Sequence, residues 1–159
     1  MKLRILAVGK AGGKAKAEAM LVEEYRQRLS WPLTVQEVEE KRPLPAPALK
    51  KREGDLLLAA LAAGHKSGRQ VVVVLDEGGK SLGSRDFAAR IGAWRDEGAA
   101  EIAFLIGGAD GHDPAVREKA DLLLSLGAMT WPHQLARVLL AEQLYRAQQI
   151  LAGHPYHRD

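Results

Sequence analysis

Two stretches of the 159-residue sequence carry side chains fit for proton transfer and anion binding. They are "WPHQLARV", with His133 and Arg137, and the terminal "HPYHRD", with Tyr156, His157 and Arg158. Histidine is the side chain whose ordinary pKa falls near neutrality, so His133 and His157 are candidate bases; Tyr156 is a third. The guanidinium groups of Arg137 and Arg158 suit a phosphate or a developing oxyanion. Each also has a plainer use. His133 stands at a helix start, where it could cap or pack, a lone helical arginine most often closes a salt bridge, and terminal residues fray unless tied down. His154 and His157 have a spacing that could share a metal ion, but no third ligand accompanies them, so no metal site is expected.

The elements that must position these groups follow from hydrophobic periodicity. "LRILAV" is a short run of branched residues closed by Gly9 and predicts a strand; residues 14–29 carry a helical pattern; "LTVQEVE" alternates like a second strand. "KRPLPAPAL", with three prolines in five residues, reads as a loop, and "KKREGDLLLAALAAG" as a helix ending at Gly64. "QVVVVLD" and "EIAFLIGG" are continuous apolar strands. Between them Ser84 offers an N-cap for "RDFAARIGAWRDEG". "DPAVREKA" opens a short helix with proline in first place, "LLLSLG" is apolar again, and a long helix spans residues 132–151. This alternation predicts an α/β fold, a mostly parallel sheet with helices on both faces, in one domain over residues 1–159. The last helix is apolar around half its circumference, a pattern that burial within the monomer and a subunit interface explain equally.

Composition narrows the chemistry. There is no cysteine, which excludes disulfides, thiol nucleophiles and thiolate zinc sites. Charged residues at 27% and hydrophobic ones at 47% are ordinary for a globular domain. No apolar run is long enough to span a bilayer, and the opening "MKLRILAVGK" reads as a strand among charges rather than a leader, so a cytosolic location without membrane contact is expected. The net charge of +3 and a pI near 9.3 lean towards an anionic partner. Basic residues crowd residues 10–28 and 41–52; a solvated face explains each cluster at least as well as a nucleic-acid footprint.

In parallel sheets ligands bind beyond the carboxyl ends of the strands. Three strand ends here run into unusual loops: "LDEGGK", "IGGADG" and "LGAMTWPH". "GKAGGKA" fails as a phosphate loop, since Gly9 lies one residue too close to the Gly13-Lys14 pair and Ala15 replaces the magnesium-binding hydroxyl. "GGADG" lacks the glycine spacing of a dinucleotide fingerprint. What remains is an apolar lining of Leu75, Ile106, Leu126, Met129 and Trp131 with the carboxylates Asp76, Glu77 and Asp110. That suits a neutral base joined to a cationic centre, the description of S-adenosylmethionine, better than a triphosphate.

The segments "AVGK", "LDEGGK", "LIGGADG", "MTWPHQLARVLLAEQLYRA" and "HPYHRD", in this order and spacing, resemble the RlmH family. These are SPOUT-class methyltransferases that modify N3 of a pseudouridine in the 23S rRNA of the large ribosomal subunit. The resemblance implies a trefoil knot at the carboxyl end, S-adenosylmethionine bound in the knot, and a homodimer whose interface includes the final helix. The expected partner is 23S rRNA or the ribosome, not DNA. Carried over by position, cofactor contacts fall on Leu75, Gly107, Leu126, Gly127, Ala128, Met129, Thr130 and Trp131, and the catalytic candidates are His133, Arg137, Tyr156, His157 and Arg158. The competing reading is a non-catalytic ribosome-associated RNA-binding module, which would need no apolar pocket at the strand ends.

Overall fold

The computed structural model describes residues 1–11 and 13–156. Strands β1 (Lys2–Val8), β2 (Leu33–Val38), β3 (Arg69–Ser81), β4 (Ala99–Ile106) and β5 (Leu122–Ser125) alternate with helices α1 (Lys16–Arg28), α2 (Ala46–Gly64), α3 (Ser84–Asp96), α4 (Pro114–Arg117) and α5 (His133–Leu151). The strands form one sheet in the order β2-β1-β4-β3-β5, every pair parallel. The α/β architecture expected from the alternation is the one observed.

Side chains alternate across a strand, so each central strand feeds two layers. Leu3, Ile5 and Ala7, Val71 and Val73, Ile102 and Phe104 face a core closed by α3 and α5 through Phe87, Ile91, Trp94, Leu140 and Leu144. Leu6 and Val8, Val72 and Val74, Ala103 and Leu105 face the other way, against Leu57 and Leu61 of α2 and Val116 of α4. Coverage on both faces is why these strands read as unbroken apolar runs. Leu140 and Leu144 are fully buried, and cutting such a leucine to alanine typically costs about 2–5 kcal/mol. Burial within the monomer therefore accounts for the α5 face that carries Ala136, Leu140, Ala141, Leu144 and Ala147. Met129, Trp131 and Leu135 stay exposed around its amino end.

Three local expectations change. Helix α2 starts at Ala46, inside the proline-rich stretch read as loop, with Pro47 in the first turn; there its missing N–H is no loss. Ser84 does not cap α3: Gly83 takes that position, and the Ser84 hydroxyl donates instead to Gln143 Oε1 of α5 at 2.7 Å. Strand β3 does not end at Asp76. It leaves the ladder over residues 76–79 and rejoins it, so that Leu124 of β5 is the register partner of both Leu75 and Lys80. Gly79 permits this return, because a Cβ there would lie 2.7 Å from the Leu123 carbonyl carbon.

Candidate functional site

At the carboxyl edge of the sheet the loops after β3, β4 and β5 enclose a cleft of about 730 Å³. Of the residues expected to hold a cofactor, Leu75, Gly107, Leu126, Gly127, Met129, Thr130 and Trp131 all line it; Ala128 belongs to the same loop but not to the lining. Ile106, His112 and His133 complete the wall, and Lys50, Asp76, Glu77, Asp110 and Arg117 bring charge to it. The parallel sheet creates this convergence, since three strands end at one level and their loops must turn over the same edge.

The loop after β5 is held in shape from within. Buried Ser125 donates its hydroxyl to the Gly127 carbonyl at 3.0 Å and accepts from the Gly127 amide at 3.2 Å, while Trp131 Nε1 donates to the Leu126 carbonyl at 3.4 Å. Gly127 sits at φ 119°, where a side chain would be strained. Across the cleft, Asp76 fixes the excursion of β3. One carboxylate oxygen accepts from the Gly78 amide at 2.9 Å and the other lies 3.2 Å from Arg117 Nε.

His133 is the first residue of α5, and Pro132, not its ring, occupies the cap position. Its Nε2 lies 3.3 Å from where a Cβ of Gly9 would stand, so a side chain there would crowd the ring, and Gly9 at φ 89° also takes a backbone conformation that other residues rarely adopt. Burial, and then the Arg137 guanidinium, hold the His133 pKa below its ordinary value of 6.5. The ring is neutral at pH 7 and can accept a proton.

Arg137 is placed differently from expectation. It is only 2% exposed and faces away from the cleft, donating to the carbonyls of Val8 and Gly9 at 3.1 and 2.7 Å and to Glu37 Oε1 at 2.7 Å. The same Glu37 oxygen accepts from the Ala11 amide at 2.7 Å. Arg137 thus ties α5 to the ends of β1 and β2, and leaving that buried ion pair for a phosphate would cost several kcal/mol, on the order of 3–5. Many other basic residues are also paired: Arg26 with Glu23, Arg28 with Glu24, and Arg42 and Arg52 with Glu40.

Residues 154–156 fold back onto the helix that precedes them. The His154 amide donates to the Gln149 carbonyl at 2.9 Å, and His154 Nδ1 accepts from the Tyr156 amide at 3.2 Å, a structural role for that imidazole. Tyr156 packs edge-on to Tyr145 at 4.9 Å, lies 5.0 Å beneath the Arg146 guanidinium, and donates its hydroxyl to Glu142 Oε1 at 3.3 Å. Burial, and then the Glu142 charge, push its pKa up, which favours Tyr156 as a hydrogen-bond donor over a base. His157 and Arg158 lie outside the described residues. Among the described residues no group of three or more His, Cys, Asp or Glu could hold a metal.

A family model described as "Predicted SPOUT methyltransferase" matches residues 1–157. The sequence is 61% identical over 158 residues to the ribosomal RNA large subunit methyltransferase H of Paramagnetospirillum magneticum, covering 99% of each chain. Against the protein of the same name from Rhodospirillum centenum it is 56% identical over 159 residues, again 99% of each. The chain belongs to the RlmH family of SPOUT methyltransferases. Its fold is also that of a probable methylase family protein from Haemophilus influenzae, with a TM-score of 0.59 over 99% of this chain and 70% of the other at 13% identity.

For this SPOUT methyltransferase, sequence reasoning found the cleft and missed part of its wall. His112 is 94% buried, as its 6% exposure shows, and lines the cleft, yet a histidine after a glycine-rich loop gave no sign of burial. Arg117 was visible only as one charge on a short helix; its approach to Asp76 depends on where α4 packs. Ser125 could have been found, since a lone hydroxyl after three leucines marks the end of a buried run.

Proposed function

We propose that this SPOUT protein transfers a methyl group from S-adenosylmethionine to N3 of a pseudouridine in the 23S rRNA of the large ribosomal subunit. It works in the cytoplasm as a homodimer whose interface includes α5, with a trefoil knot at its carboxyl end. The observation that carries the reading is the strand-end cleft: 730 Å³, within the roughly 300–1,000 Å³ usual for small-molecule sites, lined by apolar side chains together with the carboxylates Asp76, Glu77 and Asp110. The double pairing of β5, with Leu75 before the excursion of β3 and with Lys80 after it, supports the knot.

The residues present fit the donor. Leu75, Ile106 and Leu126 offer apolar surface to a base, and Glu77 and Asp110 offer negative charge to a cation, while Asp76 is paired with Arg117. Gly107 keeps the main chain open, since a Cβ there would lie 3.2 Å from both Gly111 and the His112 ring. When bound, S-adenosylmethionine supplies an electrophilic methyl group. His133, neutral at the mouth of the cleft, accepts the proton that N3 of the substrate base must lose. Tyr156, His157 and Arg158 hold the substrate nucleotide, with Tyr156 donating and Arg158 binding phosphate or oxyanion. Lys50 brings positive charge to the cleft that an RNA backbone can meet.

Two measurements test this. Titration calorimetry with S-adenosylmethionine should show one site per chain, and rRNA from cells lacking the gene should lack one methylated pseudouridine. No heat on titration would point to an RNA-binding module without catalysis. An unchanged modification profile would overturn the substrate.

A further inference from the structure

His112 stands in the cleft wall with both ring nitrogens buried; the only backbone groups that bear on the ring are those of Leu75 and Leu105, and neither nitrogen has a partner at full hydrogen-bond geometry. A buried polar atom without a partner costs about 1–3 kcal/mol, so in a ligand cleft the nitrogen that those backbone groups do not serve calls for an occupant that satisfies it. The position is set by three elements. Asp113, next in sequence, accepts from the Ala115 amide and starts α4; Gly111, at φ 79°, turns the chain before it; and Gly107 of the β4 loop gives the ring space. We propose that His112 is a polar anchor for the methyl donor, one ring nitrogen carrying its proton towards the strand-end carbonyls of Leu75 and Leu105, the other offering a lone pair to an N–H or O–H of the bound nucleoside. The inference rests on the reading of the cleft as the donor site.

The charge state agrees with this geometry. Burial is the largest influence and holds His112 below its ordinary pKa of 6.5; Asp76 of β3 and the carbonyls of Leu105 and Leu75 pull it up, and Arg117 of α4 pulls it down. Asp76 and Arg117 are themselves paired, so their charges oppose each other at the ring. Glu77, Asp110 and His133 are the other titratable groups of the cleft wall, with Lys50 the remaining cation. A neutral ring has a lone pair to offer. A protonated one has none, and it would set a positive charge beside a cationic donor.

The experiment is calorimetric titration of the full chain with S-adenosylmethionine at pH 7.5 and pH 5.5, for the wild type, His112→Leu and His112→Gln, with thermal unfolding of each. At pH 7.5 the leucine variant should bind about tenfold more weakly while unfolding no earlier than the wild type. The glutamine variant, which keeps a donor and an acceptor, should recover most of the affinity. A loss of wild-type affinity on acidification that both variants lack reports protonation of His112, and His133, common to all three, cancels in that comparison. S-inosylhomocysteine and 2′-deoxy-S-adenosylhomocysteine, each compared with S-adenosylhomocysteine, identify the group: the analogue that loses affinity in the wild type but no further in His112→Leu names the base amine or the ribose hydroxyl. A folded leucine variant with wild-type affinity would overturn the anchor. A wild type that binds no donor would overturn the cleft assignment along with it.

Discussion

The two ends of α5 make different chemistry from similar residue types. At the amino end His133 faces the cleft, half-buried and neutral, with Gly9 against its ring. At the carboxyl end Tyr156 is held by Glu142, Tyr145 and Arg146. From His133 to Glu142 is nine residues and to Arg146 thirteen, or about 14 and 20 Å along a helix rising 1.5 Å per residue. Tyr156 is therefore docked well away from the cleft of its own chain. Either the tail leaves its helix to reach that cleft, or it serves the cleft of a second copy. The proposed homodimer makes the second arrangement natural, because α5 then lies at the junction of both sites.

The largest effect should come from separating the ends altogether. A chain ending at Gly153 should bind S-adenosylmethionine within about twofold of the full chain, since none of the described tail residues, His154 to Tyr156, lines the cleft, yet lose methyl transfer by more than about a hundredfold. Mixing decides whether the tail acts across the dimer. Truncated chains mixed with full-length His133→Ala chains at equal amounts form heterodimers in half of the population by chance, each with one intact pairing of cleft and tail. Roughly a quarter of wild-type activity should return. If mixing restores nothing while heterodimers form, the tail works within its own chain.

His133→Ala alone should lower the transfer rate on the order of a hundredfold and leave donor affinity nearly unchanged, the pattern of a lost proton acceptor. The wild-type rate should rise with pH along a limb lying below pH 6.5, because burial and Arg137 depress the pKa and the neutral ring is the active form. Single-turnover rates from pH 5 to 8 check this. A limb that survives in the alanine variant would move the base elsewhere.

The sequence was informative where structure is local or repetitive, and silent where it depends on distant main chain. Gly107 and Gly127 were legible because each closes an apolar run at a strand end, Leu75 because its run breaks into Asp-Glu-Gly-Gly, and strand ends in a parallel sheet converge. The return of β3 at Lys80 was not legible: "DEGGK" reads as a turn, and only the main chain of Leu123 and Leu124, more than forty residues away, makes its end a strand. Helix α2 hid its first turn behind prolines that are harmless there. Arg137 had the right type for a phosphate clamp, but its partners Val8 and Gly9 lie 129 and 128 residues away. His112 carried no signal, because its burial follows from the meeting of α4 with the ends of β3 and β4.

Arg137 supplies the finest test of the comparison, since it joins the amino end of α5 to β1 and β2 without lining the cleft. Arg137→Gln removes a buried cation and leaves Glu37 and two carbonyls short of partners. Breaking such a pair costs about 3–5 kcal/mol, which for a chain of this size lowers the melting temperature by roughly 10 °C. Activity per folded molecule should fall far less than in His133→Ala. The positive charge that depresses His133 is also gone, so the acid limb of the rate should move to higher pH, towards the ordinary value of 6.5. A residue that bound substrate phosphate would behave otherwise: its loss would raise KM for RNA steeply and leave the limb in place. Calorimetric melting, KM for RNA and the position of the limb, measured on one variant, separate the two roles.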